Sequence, residues 1–161
     1  MATGGWLRRS ALAALLMALT AGGTAWLGPL PGRATADPAL TLGARDPVPT
    51  PVMSVLRKGC FDCHSNETRW PWYARIPPSS WLVLRDVERG RAQVNFSRRG
   101  LYNPFDQADL LDKVCDLASK RKMPLWPYRL MHAEARLTDS EIATLCGWTA
   151  GEAARLVNGE T

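Results

Sequence analysis

Histidine is scarce in this chain: His64 and His132 are its two copies among 161 residues, alongside four cysteines. A structural zinc site built on the closest cysteine pair, Cys60 and Cys63, would need a second paired motif downstream, and none follows. His132 or Cys115 would have to supply a further ligand. Strand-like alternation is also missing, which weighs against a thioredoxin-like redox domain, since that architecture interleaves strands with helices. No basic stripe with interleaved aromatics runs through the sequence, so nucleic acid is not an expected partner. The nearest approach is Arg98-Arg99 and Lys120-Arg121-Lys122, short charge runs of the kind found on solvated faces. No internal repeat is evident. Hydrophobic content of 46% is nonetheless ample for a core, and the length suits one ordinary domain.

The net charge of +5 owes much to the first 36 residues. Arg8 and Arg9 precede an uncharged apolar run, ALAALLMALTAGG, and Ala34-Thr35-Ala36 then stands before Asp37. Basic, then apolar, then small-x-small is the order of a secretory signal. The stretch from Ser10 to Leu30 also approaches the length of a membrane anchor, although Gly22, Gly23, Gly28 and Pro29 weaken its second half. Residues 1–36 are therefore expected to be a signal peptide or an N-terminal anchor, with the double arginine a hint of twin-arginine export. Either way the body of the protein lies outside the cytoplasm, periplasmic or exported, and possible membrane attachment resides in this segment. Its removal takes away three arginines and no acid, leaving 17 basic against 15 acidic residues and a net charge of +2.

Residues 37–51 carry four prolines and little apolar pattern, and are expected to be an extended linker. Residues 52–157 then hold four helical segments. The first, Val52 to Gly59, places Val52, Val55 and Leu56 on one side. The second starts at Ser79 or Ser80 after Pro77-Pro78, with Trp81, Leu84 and Val87 at helical spacing. The third starts at Asp106, with Leu110, Leu111, Val114, Cys115, Leu117 and Ala118 on a broad apolar face. The fourth opens on Thr138-Asp139-Ser140-Glu141, the spacing of a capping box. Two long stretches, 65–78 and 122–137, are rich in proline and aromatics. Loops of that length are usually functional or wrapped around something.

The most specific signal is CFDCHSNETRWPWY, residues 60–73. A disulfide between Cys60 and Cys63 would close a strained, easily reduced ring. Thiol redox chemistry and zinc remain alternatives. C-x-x-C-H is also the attachment pattern of c-type haem, and there each residue has a task. The two thiols become thioethers on the haem vinyl groups, and the adjacent imidazole of His64 binds iron axially. For the sixth iron position the candidates after the export segment are Met53, Met123, Met131 and His132. Met53 lies in the helix before the motif and is expected to be a core residue. Met123 precedes Pro124, which cannot continue a helix and fixes a turn, so Met123 is the favoured ligand, with Met131 or His132 as alternatives. A methionine opposite a histidine raises the iron potential and suits electron transfer.

The segments CFDCHSNETRWPWY, PPSSWLVLRDVERGRAQVNFS and KMPLWPYRLMHAEARLTDSE, with a closing Cys-Gly-Trp, resemble the bacterial haem-binding domain family of small, exported, cytochrome c-like mono-haem proteins. The likeness covers roughly residues 50–150. It implies an all-α, cytochrome c-like fold wrapped around one covalently attached haem c. It also implies attachment at Cys60 and Cys63, His64 as proximal ligand and Met123 at the methionine-proline position of the distal one.

Trp70, Trp72 and Trp126 are expected to line a haem pocket, whereas Trp81 and Trp148 are expected to serve helix packing. Arg69 and Tyr73 are candidates to hydrogen-bond the haem propionates, as is His132. Cys115 and Cys146, on the apolar faces of the third and fourth helices, are candidates for a disulfide closing a loop of about 30 residues. The expected function is that of a monomeric one-electron carrier, more carrier than catalyst, exchanging electrons with redox partner proteins. A haem sensor or peroxidase-like enzyme is the alternative. It needs a displaceable sixth ligand, and no distal histidine-arginine pair stands out.

Overall fold

The computed structural model describes residues 12–14, 32, 34–44 and 48–159, so most of the expected export segment lies outside the described residues. From residue 48 onward six α-helices are formed: α1 (Thr50–Gly59), α2 (Phe61–His64), α3 (Ser79–Gln93), α4 (Pro104–Ser119), α5 (Trp126–Met131) and α6 (Asp139–Val157). Short 3₁₀ turns occupy Pro38–Leu40, Trp72–Arg75, Phe96–Leu101 and Ala133–Ala135. The described residues contain no strand, and the fold is all-α.

Local chemistry explains the boundaries. Pro51 opens α1, where its missing N–H costs nothing, and Arg57 and Lys58 occupy the last turn, where cations suit the helix dipole. The α4 helix starts two residues earlier than its apolar pattern alone indicates, because Asn103 accepts from the Asp106 N–H and Pro104 occupies the first turn. The α6 helix opens on the expected capping box: the Thr138 side chain accepts from the Glu141 N–H, and the Glu141 carboxylate accepts from the Thr138 N–H. The two proline-rich stretches are more ordered than expected. The first contains the Trp72–Arg75 turn, and the second contains α5 and the Ala133–Ala135 turn.

The chain divides into two units. In the smaller, the 70–85 stretch folds on its own carbonyls. The Ser79 hydroxyl donates to the Tyr73 carbonyl at 2.8 Å, Ala74 is fully buried, and Trp72 meets Tyr73 edge-on at 5.7 Å. Trp81 departs from the helix-packing expectation, being 56% exposed. It sits in the first turn of α3, where the neighbouring Ser80 takes the buried direction.

In the larger unit, which includes residues 34–69 and 86–159, α4 and α6 pack against one another and α1 packs on α6. Val52, Val55 and Leu56 of α1 join Phe61, Phe96, Ala118, Leu137, Ile142 and Leu145 in the core. Phe61 and Phe96 stack at 5.4 Å. Leu56 and Leu145 are essentially without solvent contact, each contributing about 1.5–3 kcal/mol from burial. Trp148 packs against this core and against a second cluster of Ala108, Leu111 and Ala153, as expected of a packing residue. Part of the expected linker is built into the domain: Leu42 is buried and its N–H donates to the Phe96 carbonyl at 2.8 Å. A disulfide joins Cys115 of α4 to Cys146 of α6, with Cα atoms 4.9 Å apart.

Candidate haem site

The motif is held by two helices that meet at Cys60. The Cys60 N–H still donates to Leu56 in α1, while the Cys60 carbonyl accepts from His64 and closes the single turn of α2. Residues three apart on such a turn face the same side, which brings the half-buried Cys60 and Cys63 side by side as free thiols. Burial first, then the neighbouring Cys63, pushes Cys60 up to about 12, and burial first, then Asp62 and Asp86, pushes Cys63 up to about 11. Catalytic redox cysteines have the opposite shift, toward the thiolate. Among the described residues no group of three or more histidine, cysteine or acidic side chains is placed to hold a metal ion. The environment therefore favours neither thiol exchange nor an all-side-chain zinc site.

His64 carries the informative geometry. Its Nδ1 lies 2.9 Å from the Gly90 carbonyl oxygen and 3.3 Å from that of Val94. Carbonyls only accept, so Nδ1 carries the proton and Nε2 keeps its lone pair. Burial lowers the pKa of the ring and so favours the neutral form that a metal requires. The contact depends on Gly90, because a Cβ there would stand 2.6 Å from the Cys63 carbonyl oxygen. Arg91, the next residue of α3, donates to the Ser65 carbonyl and to the Thr68 hydroxyl, each at 2.9 Å, pinning the chain that leaves the motif.

Between the cysteines lies Asp62, 7% exposed. It accepts from the Arg69 backbone N–H at 3.0 Å, from Arg69 Nε and Nη2 at 3.2 and 3.0 Å, and from the Tyr128 hydroxyl at 2.7 Å. Arg69 thus turns Nε and Nη2 to the motif's own carboxylate. Tyr128 in turn stacks on His132 at 4.2 Å, and His132 Nδ1 lies 3.2 Å from Glu134. Burial, first, and the Asp62 hydrogen bond raise the tyrosine's pKa, so it remains a donor.

Met123 is half-buried, with its N–H and that of Lys122 both donating to the Leu117 carbonyl. Pro124 lies against the residue before Cys60: a Cβ on Gly59 would meet its Cγ at 3.2 Å. The methionine-proline turn and the C-x-x-C-H motif are therefore neighbours. Met131 and Trp126 are 57% and 65% exposed. Trp70, Trp72 and Tyr73 fall in the other unit. Sequence reasoning overlooked Asp62, Gly90, Arg91, Tyr128 and Arg129. An acid placed between two motif cysteines was the available signal for the first.

Haem is a flat apolar ring with two carboxylates, and this donor set suits it. It offers an imidazole whose Nε2 is available, two free thiols, and large apolar side chains left exposed on α5. It also offers Arg129, whose Nε is shielded from solvent and lacks an acceptor. Residues 32–151, about three quarters of the sequence, match the haem-binding domain family. The chain belongs to that family. Haem and iron binding follow from membership. A stretch of 108 residues is also 31% identical to the cytochrome c peroxidase Ccp of Escherichia coli (strain K12), covering 64% of this chain. The chain spans 23% of that protein's length. No solved structure matches.

Proposed function

We propose that this haem-binding domain is a mono-haem c-type cytochrome carrying single electrons outside the cytoplasm, with the ring fixed to Cys60 and Cys63 and the iron held by His64 and Met123. The observation that carries this reading is the orientation of His64. Its Nδ1 proton is spent on backbone carbonyls, its Nε2 is left to donate, and two unpaired thiols stand immediately before it. When bound, haem supplies a reversible one-electron couple. The chain's part is to orient the imidazole, keep it neutral and hold the thiols in place. Arg129 is the proposed partner of a ring carboxylate, since a buried guanidinium nitrogen without an acceptor is otherwise costly. Trp126 and Leu130 offer apolar cover. An exported, monomeric carrier working between larger redox proteins is the reading we adopt, with attachment to a membrane through residues 1–36 as one form of it.

A peroxidase-like activity is the second reading, favoured by the partial likeness to the E. coli cytochrome c peroxidase. It requires a sixth position that opens.

The test is the visible and near-infrared spectrum of protein matured with haem. Attachment predicts haem that stays with the denatured chain, sharp reduced α and β bands, and a weak methionine–iron band that Met123→Ala abolishes. A band that survives this substitution moves the ligand to Met131. A high-spin spectrum responding to carbon monoxide or peroxide favours the second reading.

A further inference from the structure

The helix that follows Met123 is held in an unusual way. The α5 helix buries none of its six residues, and Trp126, Leu130 and Met131 are each more than half exposed. Apolar burial therefore does not fix it. Its link to the core of the motif is the Tyr128 hydroxyl, which donates to Asp62 at 2.7 Å between the two attachment cysteines. We propose that Tyr128 and Asp62 are positioning residues, a tether that holds the segment bearing Met123 in register with the motif bearing His64. The inference rests on the assignment of Met123 as distal ligand.

Three observations give the tether its direction. Asp62 is already fixed by the backbone N–H and guanidinium of Arg69, so the acceptor is rigid before Tyr128 arrives. The Tyr128 ring is itself held flat against His132, the residue that follows α5, by stacking at 4.2 Å and 17°, so the donor is already oriented. At the other end of the segment, Pro124 rests on Gly59. Residues 123–128 are thus pinned at both ends to the motif and the residue before it. Ligand exchange at iron would require one of the two pins to release, and the hydrogen bond is the one that can open without moving backbone.

The test is Tyr128→Phe in the haem-loaded protein. This change removes the donor, keeps the stacking ring and leaves Asp62 satisfied by Arg69, so it separates the tether from packing. Amide hydrogen exchange of residues 125–132 should accelerate roughly ten- to hundredfold, the equivalent of one hydrogen bond to a charged group. Added imidazole should displace the methionine faster by a similar factor, while the haem retained on the denatured chain stays at the wild-type level. A role in general stability alone would shift the unfolding midpoint and leave imidazole exchange unchanged. Exchange of 125–132 within twofold of wild type overturns the proposal. If wild-type protein shows no methionine band, the Met123 assignment fails and the hydrogen-exchange result still decides the tether. Should Tyr128→Phe mature poorly, Asp62→Asn is scored by the same exchange measurement.

Discussion

Replacing Gly90 by alanine should destabilise this protein, against the usual rule for helices. In a helix interior the substitution normally gains about 1 kcal/mol. Here the new methyl carbon would stand 2.6 Å from the Cys63 carbonyl oxygen, 3.1 Å from its carbon and 3.2 Å from its Cβ. Two of those atoms are backbone and cannot swing away, so α3 must retreat by a good part of an ångström. Overpacking of this kind costs about 1–3 kcal/mol. The retreat also stretches the 2.9 Å contact between His64 and the Gly90 carbonyl, worth about 1 kcal/mol. The net expectation is a loss of about 1–3 kcal/mol, or a fall in Tm of roughly 5–15 °C for a domain of this size. Thermal and urea unfolding of the haem-loaded protein measure it. Gly147→Ala is the internal control: that glycine lies in α6 and an added Cβ would meet nothing within 4 Å, so it should gain up to about 1 kcal/mol. A Gly90→Ala protein as stable as wild type would refute the close-approach argument.

Removing the Cys115–Cys146 disulfide by paired serine substitutions frees a loop with a sequence separation of 31, and chain entropy puts the cost at about 3–4 kcal/mol. The urea midpoint should drop accordingly, and an unchanged midpoint would show that the crosslink adds nothing. A pH effect follows from Glu141. Its hydrogen bond from Lys58, followed by that from the Thr138 backbone, lowers its carboxyl below the ordinary value of 4.5. The unfolded chain therefore binds this proton more readily, so the contribution is complete above pH 4.5 and is lost as acid takes the pH below it, through the lowered folded value. Glu141→Gln should flatten that part of the stability profile, seen as a smaller change in urea midpoint on acidification.

The features legible in the sequence were local ones. Thr138 and Glu141 are three apart, and their capping box formed as spelled out. The apolar spacing of α4 and α6 declared which faces are buried, and C-x-x-C-H with its flanking segments pointed to a haem-binding family. What escaped depends on contacts between distant residues. Tyr128 and Asp62 are 66 positions apart, and the carboxylate gives no local sign of its partner. Gly90 looks like a weak point in a helix until Cys63 is seen against it. Trp81 fitted a helical stripe, but at a helix start the neighbouring residue took the buried side. The α5 helix, six residues with a proline at the second and none buried, is too short to announce itself by periodicity.

The carbonyls that receive the His64 proton belong to the last turn of α3 and the residue just after it. That end of any helix is its negative pole, and the Gly90 carbonyl, which also accepts from the Val94 N–H at 3.0 Å, lies within it. The imidazole therefore leans on a patch of fixed negative potential rather than on an ordinary hydrogen-bond acceptor. Electron density pushed in at Nδ1 strengthens the opposite nitrogen as a donor. A helix that carries none of the candidate ligands thereby tunes the imidazole, and the tuning can change through substitutions near residues 90–94 while every residue of C-x-x-C-H stays the same.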